Sequence, residues 1–123
     1  MKELKKNIEL YSKDFLIMDG LVPSISLGQI QEEFRLYNIE KSQYEKILND
    51  FFEITDKKVN ENYLISELSH GQKLIISALM VLNSSAKKIL FHNFFTSISQ
   101  KNREKLEQVI SIKSKEGKLI KII

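Results

Sequence analysis

Residues 68–72 read Leu-Ser-His-Gly-Gln and stand immediately before a strongly apolar run. Ser69 is a favourable helix N-cap, which predicts a helix beginning at His70. The start of a helix leaves backbone N–H groups without partners and carries the positive end of the helix dipole, so it favours an anion such as a phosphate group. The chemistry predicted for this segment is therefore anion binding.

The next apolar segment has the character of a buried strand, yet it lacks the acids that phosphate chemistry needs. It reads Ile-Leu-Phe-His-Asn-Phe-Phe-Thr-Ser over residues 89–97, and no Asp or Glu occurs between residues 68 and 103. Asn93 can contact a metal-bound water but lacks the charge that Mg²⁺ prefers. Phe94 cannot act as a base. The segment therefore does not favour hydrolysis.

Composition argues against two other kinds of site. A phosphate-cradling loop needs the pattern Gly-x-x-x-x-Gly-Lys-Ser/Thr. The four glycines, Gly20, Gly28, Gly71 and Gly117, do not form it. No metal site is expected, because the chain has no Cys and two His with no cluster of carboxylates beside them. The absence of Cys also excludes disulfides and thiolate chemistry.

Apolar spacing predicts the elements of the first half of the chain. Residues 7–18 hold two short apolar alternations, which suggest a strand or hairpin. A loop around Pro23 leads to a helix that begins near Ser26, whose spacing to Gln29 is that of a capping box. A second helix is predicted over about residues 42–52. Its inner face is expected to carry Tyr44, Ile47, Leu48, Phe51 and Phe52.

The second half of the chain predicts a helix between two buried strands. The helix from His70 to about Leu82 is apolar on most sides, so it should be buried. A short strand at 88–92, a helix at 101–115 and a final strand at 119–123 follow, with Gly117 in the region of the helix C-cap. Strand, helix and strand over this length make parallel pairing the default. The inward residues of the 101–115 helix are predicted to be Leu106, Val109, Ile110 and Ile112.

In this order and spacing, the chain from residue 64 onward resembles the C-terminal half of an ABC-type ATPase domain. In that family a Leu-Ser-Gly-Gly-Gln signature opens a helix and faces the γ-phosphate of ATP bound to the opposite subunit. Ser69, Gly71 and Gln72 match this signature, and His70 stands at its third position, where family members vary. The resemblance implies that these four residues contact a nucleotide in trans.

The resemblance also identifies a degenerate Walker B region. The family pattern is four apolar residues, then Asp-Glu, then Pro-Thr-Ser, in which the Asp helps to hold Mg²⁺ and the Glu polarises the attacking water. When Thr96-Ser97 are matched, Asn93 stands at the Asp position and Phe94 at the Glu position. Core filling is the alternative interpretation of Phe94. The family loop that follows also lacks its acid here.

A weaker resemblance covers residues 14–60. The strand and loop around Asp19 look like the family's Q-loop and the start of its helical subdomain, which receives the coupling helix of a transmembrane partner. The resemblance implies that Phe34 and Tyr37, with Phe51 and Phe52, line a groove for that partner. The alternative interpretation is that these aromatic residues form the core of the helical layer.

The expected fold is α/β, with a helical layer of about three helices packed with a small, mainly parallel sheet, as in part of a P-loop NTPase. Residues 1–123 are predicted to form a single domain. Within it, about 20–83 correspond to the ABC-like helical subdomain with the signature helix, and about 84–123 to the Walker B-like strand, a helix and the final strand. Losing half of the parental core exposes apolar surface, which favours a partner or self-association.

Charge and hydropathy suggest the surroundings of the protein. The formal net charge is +3, but Lys residues alternate with Glu and form no dense basic stripe, so no nucleic-acid partner is expected. No apolar run approaches the roughly 20 residues of a membrane span. Neither direct membrane insertion nor a signal peptide is expected. The predicted location is the cytoplasm, with membrane association only through a partner.

These observations lead to one functional hypothesis and to alternatives. The first is a catalytically inactive ABC ATP-binding-subunit-like protein that acts through protein interaction and donates its signature helix to an intact ATPase subunit or a permease complex. It would bind no cofactor alone and would contact ATP and Mg²⁺ only in trans. The alternatives are part of a working ABC ATPase whose P-loop comes from another chain, an unrelated helical binding module, and a decayed remnant.

Overall fold

Three parallel strands form one sheet in the computed structural model, which describes residues 14–20 and 28–123. They are β1 (Leu16–Asp19), β2 (Lys88–His92) and β3 (Leu119–Ile122), in that spatial order. Leu16 pairs with Ile89 across the first ladder, and Lys88 pairs with Leu119 across the second. The predicted parallel pair at 88–92 and 119–123 is confirmed. The predictions made for residues 7–13 and 21–27 lie outside the described residues.

Four α-helices accompany the sheet: α1 (Ile30–Leu36), α2 (Lys41–Thr55), α3 (His70–Leu82) and α4 (Gln100–Lys115). The first begins later than the capping-box spacing predicts. Gln29 keeps an extended backbone, with φ −80° and ψ 156°, because it forms an antiparallel bridge with Leu64. The second runs through Thr55 and ends at Asp56, which adopts the left-handed conformation. Gly117 follows α4 with φ +112°, as its predicted C-cap role requires.

The centre of the protein is α3, which packs against both α2 and α4. Every residue from Leu74 to Leu82 is buried, so the prediction of a buried helix is confirmed. The sheet adds Met18, Ile89 and Phe91 to the same hydrophobic core. The α/β architecture is thus as expected, a helical layer on a small parallel sheet. The division of the chain near residues 83 and 84 stays a prediction.

Two residues predicted to face inward lie on the surface. Phe52 is 40% exposed and Ile112 is 56% exposed. Successive helix residues are rotated by about 100°, so burying Phe51 turns the next residue away from the core. The same rotation turns Ile112 outward once Ile110 and Lys113 are buried. Apolar periodicity located both helices correctly but misjudged the edge of each buried face.

Replacing Asp50 with asparagine is expected to stabilise the protein at neutral pH but not in acid. Burial raises the pKa of Asp50, Lys46 and Lys113 oppose the rise, and Glu53 adds to it. The folded state therefore holds this proton more tightly than the unfolded chain, and stability falls as the pH rises above 3.8 towards the higher folded pKa. Because the carboxyl remains partly open to solvent, Asp50→Asn should add only a few tenths of a kcal/mol, measured by urea unfolding.

The control for this prediction is Glu45→Gln, which removes the same charge from an exposed position of the same helix. It should leave the free energy of unfolding unchanged at both pH values. A gain for Asp50→Asn that persists below pH 3.8 would contradict the assigned cause, because Asp50 is then protonated in both states.

Candidate functional site

A groove of about 390 Å³ opens at the amino end of α3 and contains the whole predicted signature. Ser69 caps the helix, and its hydroxyl accepts a hydrogen bond from the Gln72 N–H at 3.2 Å. The Gln72 side chain in turn accepts one from the Ser69 N–H at 2.9 Å. This reciprocal pair is a capping box, so the predicted N-cap role of Ser69 is confirmed. Ser69 and His70 are exposed at the mouth of the groove.

The same groove receives the start of a second helix. Ser99 caps α4 by accepting a hydrogen bond from the Asn102 N–H at 3.3 Å. Two helix N-termini therefore face one groove, and each contributes unpaired N–H groups and the positive end of its dipole. None of the residues lining it carries a carboxylate. Its electrostatics favour an anion. This signature-like groove is lined by Ser69, His70, Gly71, Gln72, Ile75, Ser97, Ile98, Ser99 and Asn102.

Because Gly71 has no side chain, the start of α3 can lie close to the turn that precedes α4. A Cβ atom placed there would lie 3.0 Å from the carbonyl oxygen of Ser97. Ser97 ends a short 3₁₀ turn, Phe95–Ser97, between β2 and α4. The first turn of α3 thus rests against the turn that leads into α4. This contact explains in part how residues nearly thirty positions apart line one site.

His70 ties the groove to the end of β1. Its Nε2 atom lies 3.1 Å from the carbonyl oxygen of Gly20, the residue that follows β1. Hydrogen bonding to that carbonyl requires the tautomer, or the charged form, that carries a proton on Nε2. Among residues 14–20 and 28–123 no cluster of three or more metal-ligating side chains occurs. Its contact with a carbonyl gives His70 a structural role.

An aromatic cluster lies at the positions that the sequence resemblance matches to the Walker B acids. Phe94 is 1% exposed. Its ring lies 4.9 Å from that of Phe91 and 5.6 Å from that of Phe95, measured between centroids. The Arg103 guanidinium lies over the Phe95 ring at 4.9 Å. These contacts support the core-filling interpretation of Phe94.

Asn93 follows β2 and adopts the left-handed conformation, with φ +48°. Its N–H donates to the carbonyl of Ile123 at 3.0 Å, and its own carbonyl accepts from the Thr96 hydroxyl at 3.4 Å. Asparagine tolerates this backbone geometry better than most residues. The residue therefore serves to turn the chain out of the sheet.

The aromatic residues proposed to line a partner groove are mostly internal. Phe34 is fully buried and stacks on Tyr44 with 4.2 Å between ring centroids. It cannot contact a partner while the helical layer is closed, so its predicted role is corrected to core packing. Tyr37 is partly buried against the same core. Burial, and secondarily the charge of Glu33, raises the pKa of the Tyr37 hydroxyl.

One pair of polar side chains at the sheet was not predicted. Asp19 and His92 end β1 and β2 and are direct partners in the ladder. The His92 Nδ1 atom lies 4.0 Å from an Asp19 carboxylate oxygen, and it is buried without a hydrogen-bond partner among the described residues. Only the register of the two strands brings this pair together. A polar residue ending an otherwise apolar strand was the available signal.

Solved structures of ATP-binding cassettes have a fold similar to that of this chain. The structure of an ATP-binding subunit of an ABC transporter matches with a TM-score of 0.71 and 14% identity, over 97% of this chain and 51% of that one. An ABC transporter ATP-binding protein from Pyrococcus furiosus gives a TM-score of 0.71 and 11% identity, over 94% and 59%. A dimeric bacterial ABC transporter cassette gives 0.62 and 15%, over 95% and 55%.

These matches establish the fold and its extent. The chain has the fold of an ABC-type cassette and spans about half the length of these cassettes. No model of a known family and no curated protein matches it in sequence. No helix among the described residues is long and apolar enough to cross a membrane. Because folds host many functions, activity has to be argued from the site.

Proposed function

We propose that the chain is a catalytically inactive ABC ATP-binding-subunit-like protein that acts through protein interaction. The observation that carries the proposal is the signature-like groove, in which two helix N-termini converge without any carboxylate. A terminal phosphate of ATP held by an intact ATPase fits this chemistry. ATP and Mg²⁺ would then belong to the partner, and Ser69, Gly71, Gln72 and the first-turn N–H groups would face the nucleotide in trans.

Inactivity of the chain itself is supported by its Walker B-like region. A general base needs a titratable group that can reach the attacking water. Phe94 fills the core at the position where the family has its glutamate. Asn93 has a side-chain amide where the family's aspartate helps to hold Mg²⁺. Its backbone N–H donates a hydrogen bond to the Ile123 carbonyl. The partner would provide both the metal site and the base.

The Ser69→Asp variant is expected to keep the fold and lose the effect on a partner. Aspartate is as good an N-cap as serine, so the capping of α3 is preserved. Its negative charge in the groove repels a phosphate group. The tagged chain would first be purified from its native cells at low salt to identify a copurifying ATPase. ATP turnover by that ATPase would then be measured with the wild type and with each variant.

Two further variants separate capping from nucleotide contact. Ser69→Thr retains the hydroxyl and should retain the effect on turnover. Ser69→Ala should lose that effect and cost about 1 kcal/mol of stability, because the N-cap is removed. An effect on turnover that is the same for wild type, Ser69→Asp and Ser69→Ala would refute the proposed role of the groove.

A second candidate function follows from the extent of the fold. The chain covers 51% to 59% of three cassettes, so another polypeptide with a P-loop could supply the other half of a working ATPase. This hypothesis predicts Mg-ATP turnover only when both chains are mixed. Asn93 and Phe94 argue against it, since the second chain would then have to bring its own acids to β2. The unrelated helical module is excluded, because it predicted no parallel pair of β2 and β3.

A further inference from the structure

Among the described residues that line the signature-like groove, only one side chain can change its charge near neutral pH. It belongs to His70, the first residue of α3. The other lining residues are Ser, Gly, Gln, Ile and Asn, whose side chains do not titrate. Histidine gains a positive charge between about pH 8 and about pH 5. His70 therefore decides whether the groove carries a full positive charge or only the partial charges of two helix ends.

The hydrogen bond of His70 determines which ring nitrogen is left to gain the second proton. Its Nε2 atom lies 3.1 Å from the Gly20 carbonyl oxygen, which can only accept a hydrogen bond. Nε2 therefore keeps a proton in the neutral ring, and Nδ1 has a lone pair. No hydrogen bond within the described part of the chain occupies Nδ1, and His70 is exposed. Only the charged ring donates from both nitrogens, so only a charged His70 can bind Gly20 and an anion at once.

The surroundings of His70 leave its charge to be stabilised by a ligand. Among the described residues no carboxylate forms an ion pair with His70. The positive end of the α3 dipole disfavours a cation at this position. The elements packed around the ring carry charges of both signs, none of which lines the groove. They are Asp19 at the end of β1, Glu67 in the turn before α3, Lys73 on α3, and Lys101 and Arg103 in the first turn of α4.

We propose that the signature-like groove binds a phosphate-type oxyanion together with a proton, which His70 takes from solvent onto Nδ1. The inference rests on the proposed function, because this anion is the terminal phosphate of the partner's ATP. The anion stabilises the charged ring, and the Nδ1 proton is donated to an oxygen of the anion. The bound state therefore holds more protons than the free state, so affinity rises as the pH falls. The chain would act on its partner more strongly in mildly acidic than in mildly alkaline solution.

The test measures sulfate binding by the complete 123-residue chain without a partner. Sulfate has the tetrahedral shape of a phosphate group and keeps its charge over this pH range, whereas a phosphate group does not. Binding is followed by NMR from the backbone amide signals of Gly71, Gln72 and Asn102, at constant ionic strength. We expect the affinity to be about fivefold higher at about pH 5.5 than at about pH 7.5.

Two variants of His70 and one control complete the test. His70→Gln keeps an N–H donor for the Gly20 carbonyl but has no charge, so its affinity should be low and equal at both pH values. His70→Lys is charged at both pH values, so its affinity should be high and equal at both. Lys73→Gln is the matched control, because it removes a charge from the same helix outside the lining of the groove. It should keep the fivefold ratio of the wild type.

Two results would overturn the inference and leave the proposed function intact. One is saturable sulfate binding by the wild type with equal affinity at both pH values, and the other is a fivefold ratio that persists in His70→Gln. The proposed function fails separately if the Ser69 variants do not change the partner's turnover while sulfate binding still depends on pH through His70. A lack of saturable sulfate binding at either pH would contradict both, because the groove would then not be an anion site.

Discussion

Replacing Phe94 with glutamate, the residue that the resemblance implies at this position, is expected to unfold the protein rather than to create an ATPase. Phe94 is 1% exposed and contacts the rings of Phe91 and Phe95. Truncating a buried Phe costs about 3–5 kcal/mol. A carboxylate placed in the same site adds a desolvation cost. Small domains have total stabilities of only about 5–15 kcal/mol, so most or all of the folded population should be lost.

Urea unfolding followed by circular dichroism would measure this loss. The matched control is Phe52→Glu, the same substitution at a phenylalanine that is 40% exposed, and its cost should be below about 1 kcal/mol. Phe94→Leu should cost less than Phe94→Glu, because it remains apolar. A Phe94→Glu variant as stable as the wild type would show instead that the aromatic cluster is dispensable for the fold.

Replacing Gly20 with alanine is the second substitution expected to be severe. The new Cβ would lie 2.1 Å from the carbonyl oxygen of Asn93 and 2.6 Å from the Cα of Phe94. Both are backbone atoms, so no change of rotamer can relieve the overlap. The ends of β1 and β2 would have to separate, which breaks the 3.1 Å hydrogen bond from the Gly20 N–H to His92. We expect a cost of roughly 3 kcal/mol or more.

A loss of roughly 10 °C in Tm corresponds to that cost for a chain of this size. Gly71→Ala is the matched control. Its Cβ meets one atom, at 3.0 Å, and alanine is the better helix former by about 1 kcal/mol. Its Tm should stay close to that of the wild type. A Gly20→Ala variant as stable as Gly71→Ala would mean that the strand ends separate easily.

Local signals predicted some elements to the residue. α3 has the predicted bounds because Ser69 and Gln72 form the cap that their spacing suggests, and an apolar run follows. β2 has the predicted bounds because its apolar residues lie between polar turns. Both are cases in which propensity, capping and burial agree. The start of α1 was placed incorrectly because the bridge between Gln29 and Leu64 is a long-range interaction.

The sequence predicts only one of the two helix starts that line the candidate site. Sequence identified Ser69 to Gln72, since a helix start with this motif is a local feature. It did not reveal that Ser99 and Asn102 line the same groove, because the contact of Gly71 with Ser97 depends on how two helices pack. The burial of Phe34 was likewise undecided, since an aromatic residue on an apolar face fits both a core and an exposed groove.

The ladder between β1 and β2 has a consequence for how the chain folds. It joins residues 16–19 to residues 89–92, with the first three helices in between. Closing so long a loop costs entropy before any strand pairing repays it. We therefore expect the helices to form first and the sheet to close late, at a rate limited by these non-local contacts. During synthesis on the ribosome, β1 has to wait for its partner until Phe91 has emerged.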